Sequence, residues 1–355
     1  MGLLAACAAA PEPPSAMERV LTDACAAEIV LLGESGHHGD GEAQAFKAEL
    51  LQHMLKRCPP DLIAFEASRY EVARLVQYDS VRHQGEGQIL RRRVVEPSQL
   101  AVALGRKWNR NAEMQPVFDT TAAFMSGGGA VIGLDDQIGA IGQDYSNIQL
   151  ARDVTQALDP DTRDTCADAL RRRIWFDYGD DYPRDAAART QLAICTDLIE
   201  LHSRHPQAPG VVRFLRRDAL PVERRSADRD ASMFDAFHRH YRGGRALIWG
   251  ATVHTANLSD RLGHYVADAS GDVFSLGFSA QSGRFRQMGG HVVHRPDLPQ
   301  DAVEGLGPGY LDSAALEAAG MRPGAVFGSV QTRNWSRVVD GLVVFETERP
   351  TELAP

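Results

Sequence analysis

Two short apolar runs separated by one amphipathic stretch constrain this chain more than any other feature. Glu28-Ile29-Val30-Leu31-Leu32-Gly33 is apolar and ends in a turn signal, so it reads as a buried strand. From Glu42 to Arg57 the residues Ala43, Phe46, Leu50, Leu51, Met54 and Leu55 recur at three- and four-residue spacing, which is one face of a helix. Cys58-Pro59-Pro60 stops that helix, because proline has no N–H to donate and clashes with the preceding turn. Asp61-Leu62-Ile63-Ala64-Phe65 then reads as a second strand ending at Glu66. Strand, helix and strand within about 40 residues make a βαβ unit, and its crossover sets the two strands parallel.

The pattern returns downstream. Ala130-Val131-Ile132-Gly133-Leu134, ending at Asp135 and Asp136, reads as a third strand, and Arg245-Ala246-Leu247-Ile248-Trp249-Gly250, with His254 beyond it, as a fourth. Val273 to Phe278 and Leu342 to Phe345 are further strand candidates. Between Gln137 and His240 the signal is mainly helical. The expected class is α/β: a mainly parallel sheet flanked by helices, with a helical insertion over residues 145–230 capping the carboxyl edge of the strands. Residues 21–355 read as one domain without internal repeats, and residues 1–20 as a leader remnant and tether.

Composition narrows the function. Hydrophobic residues at 44% support a large core, and 38 Lys and Arg against 47 Asp and Glu argue against a nucleic-acid binder, which needs a basic surface. The arginine clusters 91–93, 171–173 and 224–225 read as solvated helix faces with ion pairs. No run of about 18 apolar residues is present to form a membrane span. Leu4-Ala5-Ala6-Cys7 looks like a lipobox, which would place a lipid anchor on Cys7 and the protein in the periplasm or at a membrane; a cytoplasmic location is the alternative. Gly2 is a poor myristoylation site because Ala6 stands where Ser or Thr is wanted. The other four cysteines, Cys25, Cys58, Cys166 and Cys195, are compatible with two disulfides in any of three pairings, or with buried thiols.

Chemistry gathers at the strand ends. In parallel sheets ligands bind outside the carboxyl ends of the strands, where loops converge and helix N-termini point. Four such ends carry ionisable groups: Glu34 with His37 and His38, Glu66, Asp135 with Asp136, and His254. A histidine held by a carboxylate can take a proton from water, while a second histidine or a cation stabilises the oxyanion that forms. Ser35 is no nucleophile elbow, since a histidine stands where G-x-S-x-G needs its last glycine; Ser279 fails the same test. The same residues could bind a divalent metal, although no H-E-x-x-H spacing occurs.

Leu32-Gly33-Glu34-Ser35-Gly36-His37, followed by a helix with Glu42 and Lys47, resembles the opening motif of the erythromycin esterase family. Ala64-Phe65-Glu66, Gly133-Leu134-Asp135, Asp228-Arg229-Asp230 with Met233, Trp249 to His254, Gly277-Phe278 with Gly283-Arg284-Phe285, and the tail Asp340 to Thr347 are similar to later motifs, in the same order. The resemblance implies a hydrolase of ester or lactone bonds, macrolides among them, with no required cofactor. Glu34, His37 or His38, Glu66 and His254 are its implied catalytic residues, with Lys47 and Asp135 on the substrate side. Lys47 stands where the family's resistance enzymes have Arg, and so loses a planar fork of donors. Counting forward from Glu34 selects His37 as the base; counting back from Glu42 and Lys47 selects His38. The wider clan holds haem- or iron-binding lipoproteins and metalloproteases sharing a G-E-x-H opening. A metal- or haem-binding lipoprotein using the same histidines is therefore the alternative.

Overall fold

The computed structural model describes residues 14–34, 38–82, 94–105, 108–139, 145–175, 185–287 and 290–354. Helix α1 (Ala16–Ala26) starts on a capping box, in which Ser15 accepts from the Glu18 N–H and Glu18 reaches back to the Ser15 backbone. It begins inside the stretch read as tether, and its Val20 is fully buried. Strand β1 (Ile29–Leu32), α2 (Gly41–Arg57), β2 (Leu62–Ser68) and α3 (Arg69–Arg82) follow, the first three close to their expected bounds. Next come α4 (Pro97–Leu104), α5 (Gln115–Ser126) and β3 (Ala130–Asp135). Five helices then run without a strand: α6 (Leu150–Thr155), α7 (Pro160–Trp175), α8 (Ala186–His202), α9 (Ala208–Arg217) and α10 (Val222–His240). The chain returns to the sheet as β4 (Ala246–Trp249), turns through α11 (Thr252–Thr255) and α12 (Leu262–Ser270), and forms β5 (Val273–Arg286). The C-terminal part holds β6 (Val292–His294), β7 (Gly309–Leu311), α13 (Ser313–Ala319), β8 (Met321–Gly324), β9 (Gln331–Asn334) and β10 (Gly341–Glu348).

The main sheet has the order β3-β2-β4-β1-β5-β10-β7, with β6 attached to β5. Every pairing from β3 to β10 is parallel; β7 and β6 add antiparallel edges. The expected βαβ unit is present with one difference. Strands β1 and β2 are parallel but do not pair, because β4 lies between them, Ala246 meeting Ile29 on one side and Leu62 on the other. This order lines up the carboxyl ends of β3, β2, β4 and β1, the four strands whose ends carry the chemistry.

Strand alternation sorts the core into two faces. Val30, Leu32, Ile63, Phe65, Leu247 and Trp249 pack with α1, α2 and α5 on one side. Ile29, Leu31, Leu62, Ala64, Ala246 and Ile248 pack on the other with Met233, Ala236 and Phe237 of α10 and Leu262 and Val266 of α12. Each of the Val, Leu, Ile, Phe and Met side chains among them contributes roughly 1.5–3 kcal/mol on burial. Helices α6 to α9 have a separate core of their own, including Leu150, Val154, Leu170, Leu192, Ile199 and Val211.

The cysteines pair as Cys25–Cys58 and Cys166–Cys195, with Cα atoms 5.6 and 5.3 Å apart. The first ties the end of α1 to the end of α2, and the second ties α7 to α8. Closing loops of this length restricts the unfolded chain by about 3–4 kcal/mol each in the chain-entropy account. Cys7 lies outside the described residues, as do His37 and the arginines 91–93. Among the described residues no helix is long and apolar enough to cross a membrane.

Candidate active site

The loop after β1 delivers the first histidine. His38 has a left-handed backbone, φ 68°, which is uncommon for a residue with a side chain and is held by what surrounds it. Gly39, the next residue, accepts on its carbonyl from the Arg286 N–H at 3.1 Å and the Thr351 N–H at 3.0 Å. A Cβ on Gly39 would meet the Arg286 carbonyl oxygen at 1.6 Å, so only glycine lets the loop approach β5 this closely. The His38 carbonyl accepts from Asn111 Nδ2 at 3.2 Å. A strap after β10 completes the clamp: the Arg349 carbonyl accepts from the Gly41 N–H, and the Arg349 guanidinium pairs with Glu42 and Glu113.

With the loop fixed, His38 Nδ1 bonds Glu34 Oε1. Glu34 is wholly buried and loaded with donors: Gln44 Nε2, Lys47 Nζ at 3.0 Å and Trp108 Nε1 at 3.3 Å join the histidine. Burial opposes charge on Glu34, but Lys47 and His38 outweigh it and hold the carboxyl below its ordinary range. Burial is likewise the largest influence on Lys47 and pulls it below the usual lysine range, against the attraction of Glu34. Lys47 is 0% exposed, its Nζ 4.1 Å from the Trp249 ring centroid. Since a carboxylate can only accept, the neutral His38 ring carries its proton on Nδ1 and keeps its lone pair on Nε2. Nε2 lies 3.8 Å from Glu66 Oε1.

The second histidine mirrors the first. His254, in the short helix after β4, places Nδ1 2.8 Å from Asp230 Oδ1 on α10. Asp230 is buried and also accepts from the Leu262 N–H and from Arg261, both at 3.0 Å. His254 Nε2 lies 3.7 Å from Glu66 Oε1, so both histidines turn their Nε2 atoms toward one carboxylate oxygen. Glu66 sits at a register irregularity of β2 between Phe65 and Ser68. Its Oε2 accepts the Ala251 N–H at 2.8 Å and holds the turn into α11, while Oε1 accepts from Arg229 at 3.0 Å. Arg229 also grips Asp135 through Nε and Nη2 and reaches His254 Nε2 with Nη1 at 3.1 Å.

The structure thus brings Glu34, His38, Glu66, Asp135 and His254 together from four neighbouring strand ends. Lys47 and Asp135, expected on the substrate side, are both fully buried, Lys47 behind Glu34 and Asp135 behind Arg229. Asp136 turns away into a buried pair with Arg217. Two members escaped the sequence reading of the site: Arg229 and Asp230 lie in the R-D-x-x-M helix, whose motif was visible but whose side chains carried no assigned part. Trp108 and Gln44, which finish the Glu34 cage, gave no local signal.

Among the described residues no group of three or more His, Cys, Asp and Glu side chains is arranged for a metal ion. The carboxylates beside the histidines already hold cations, Lys47 on Glu34, Arg229 on Glu66 and Arg261 on Asp230, and this donor set does not fit a further positive ion. A half-open cavity of about 490 Å³ between α8, α9 and α10 is lined by Ile199, Val212, Arg213, Arg216 and Leu220 among others, and by none of these site residues.

No protein-family model matches the chain. No curated protein matches it in sequence. Solved structures share its fold. A histidine-to-asparagine mutant of erythromycin esterase in its open conformation aligns with a TM-score of 0.61 at 14% identity, covering 93% of each chain. A succinoglycan biosynthesis protein aligns at 0.65 and 12% identity over 95% of this chain and 92% of its own. A protein from Bacillus cereus aligns at 0.63 and 14% identity over 96% and 93%. The fold is therefore erythromycin-esterase-like.

Proposed function

We propose that the protein hydrolyses ester or lactone bonds with water activated by His38. The observation that carries this reading is the pairing of Glu34 with His38 Nδ1, which leaves Nε2 as the base and turns it toward Glu66 and His254. In the reaction His38 Nε2 takes a proton from water as the oxygen attacks the carbonyl carbon. The resulting imidazolium lies between the Glu34 and Glu66 carboxylates. When the tetrahedral intermediate collapses, the carbon–oxygen bond to the alcohol breaks and His38 returns the proton to the departing alkoxide. A carboxylic acid and an alcohol leave, and no protein nucleophile is used. The erythromycin esterase among the structural neighbours makes macrolide lactones the first substrates to try.

Two disulfides are uncommon in a reducing cytosol. They support a periplasmic or surface location, and a lipid on Cys7 would hold the protein there.

The test is a panel of small esters, lactones and a macrolide incubated with chelator-treated protein, with products weighed by mass spectrometry. The expected result is a product heavier by one water. Cleavage appearing only after a divalent metal or haem is restored would move the reading to the metal-binding alternative.

A further inference from the structure

The tetrahedral intermediate of this reaction carries a negative oxygen, which needs a donor placed in advance. This inference rests on the hydrolase reading and concerns which group supplies that donor. The family resemblance offers Lys47 and His254. Lys47 is shut off from any substrate: it is 0% exposed, bonded to Glu34 and packed against Trp249. His254 presents Nε2 as an acceptor, as its partners require. Asp230 accepts at Nδ1 and also accepts from Leu262 and Arg261, so Nδ1 carries the proton. Arg229 Nη1 stands 3.1 Å from Nε2, and a guanidinium only donates. The neutral His254 ring therefore has no proton on Nε2 to give.

We infer that the Arg229 guanidinium is the oxyanion-binding group and that His254 is its positioning residue. Asp135 holds the guanidinium through Nε and Nη2, Glu66 accepts from Nη2, and His254 Nε2 orients Nη1. Unlike Lys47, Arg229 is 17% exposed at its side chain. In the resting site Nη1 donates to a neutral ring nitrogen. A forming oxyanion beside Nη1 brings a full negative charge, so the interaction grows as the transition state is approached, which is the condition for a rate effect. His38 and Arg229 then divide the chemistry: one moves the proton and the other receives the charge.

The test combines kinetics with a readout that needs no substrate. With an ester that the wild-type protein cleaves, Arg229→Lys keeps the charge but loses the fork, and should lower kcat by about 10²–10³-fold with KM changed far less. Arg229→Ala should be as slow and should recover in part when guanidinium ion is added. Imidazole nitrogen NMR, with the His254 signals assigned by their loss in His254→Gln, should find the proton on Nδ1 and Nε2 unprotonated. If Arg229→Lys retains kcat within about threefold, or if His254 carries its proton on Nε2, the inference is overturned while the hydrolase reading stands. If the wild-type protein cleaves no ester of the panel, the hydrolase reading fails and this inference fails with it.

Discussion

The two histidines of the site are built alike and placed differently. Each gives Nδ1 to a buried carboxylate and turns Nε2 toward Glu66 Oε1. His38 comes from the parallel sheet, on a left-handed loop clamped by β5 and by the strap after β10. His254 takes its carboxylate from α10, at the end of the helical segment, and its Nε2 meets a guanidinium. The same dyad therefore yields a base on one side and an anchor on the other. A histidine's role follows from what stands at its second nitrogen as much as from the carboxylate behind it.

The largest effect that sharpens this contrast concerns the two carboxylates. Glu34→Gln offers Nδ1 an amide that favours the wrong tautomer, and should lower kcat by about 10²–10⁴-fold, the range of a lost general base. Asp230→Asn should lower it by only about tenfold, because its histidine orients rather than transfers a proton. Equal losses in the two variants would break the contrast.

Stability should separate the arms as well. Glu34→Ala strands Lys47 in the core without its counter-charge, and denaturant unfolding should show a loss of about 3–5 kcal/mol. Gly39→Ala forces a Cβ against the Arg286 carbonyl and should cost about 1–3 kcal/mol, as overpacking does. Activity should fall with it, because His38 moves with the loop. Thr351→Pro removes one of two N–H donors to the Gly39 carbonyl and should cost about 1 kcal/mol, with Thr351→Ala as the control that keeps the donor.

A last contrast is one of pH. Burial and the nearby Asp40 carboxylate push the Glu348 carboxyl at the root of the strap up to about 8, with Arg295 and the Glu42 N–H opposing and the Glu42 carboxylate adding to the rise. A raised carboxyl contributes stability fully below its unfolded value and loses it as pH climbs through the folded one. Glu34, held low, contributes above its unfolded value and loses that contribution as pH falls through the lower folded one. The melting temperature should therefore decline from about pH 5 to about pH 8, and Glu348→Gln should flatten that decline. The acid-side loss should remain in that variant.

Much of this was legible in the sequence, and the reasons it was or was not are local. Val30, Leu247 and Ile63 announced strands because strands covered on both faces are apolar throughout. The position of β4 between β1 and β2 was not legible, since pairing partners leave no mark on a short apolar run. Strand β5 continues past Phe278 to Arg286, where alternating exposure hides it among polar residues, and β6 to β9 are only three or four residues long. Glu34, Glu66 and His254 stood out as ionisable groups at apolar strand ends. Arg229 and Asp230 did not, because charges on a helix read as solvated until tertiary packing buries them. The register of the first histidine was ambiguous in sequence; His38 is the residue found on Glu34, and His37 lies outside the described residues.

The most direct test of the central claim compares His37→Ala with His38→Ala in the chelator-treated protein, following kcat/KM on whichever ester the wild type cleaves. The account predicts that His38→Ala loses about 10²–10⁴-fold while His37→Ala stays within about tenfold of wild type. Loss confined to His37→Ala would contradict it, and would hand the proton transfer to the neighbouring residue.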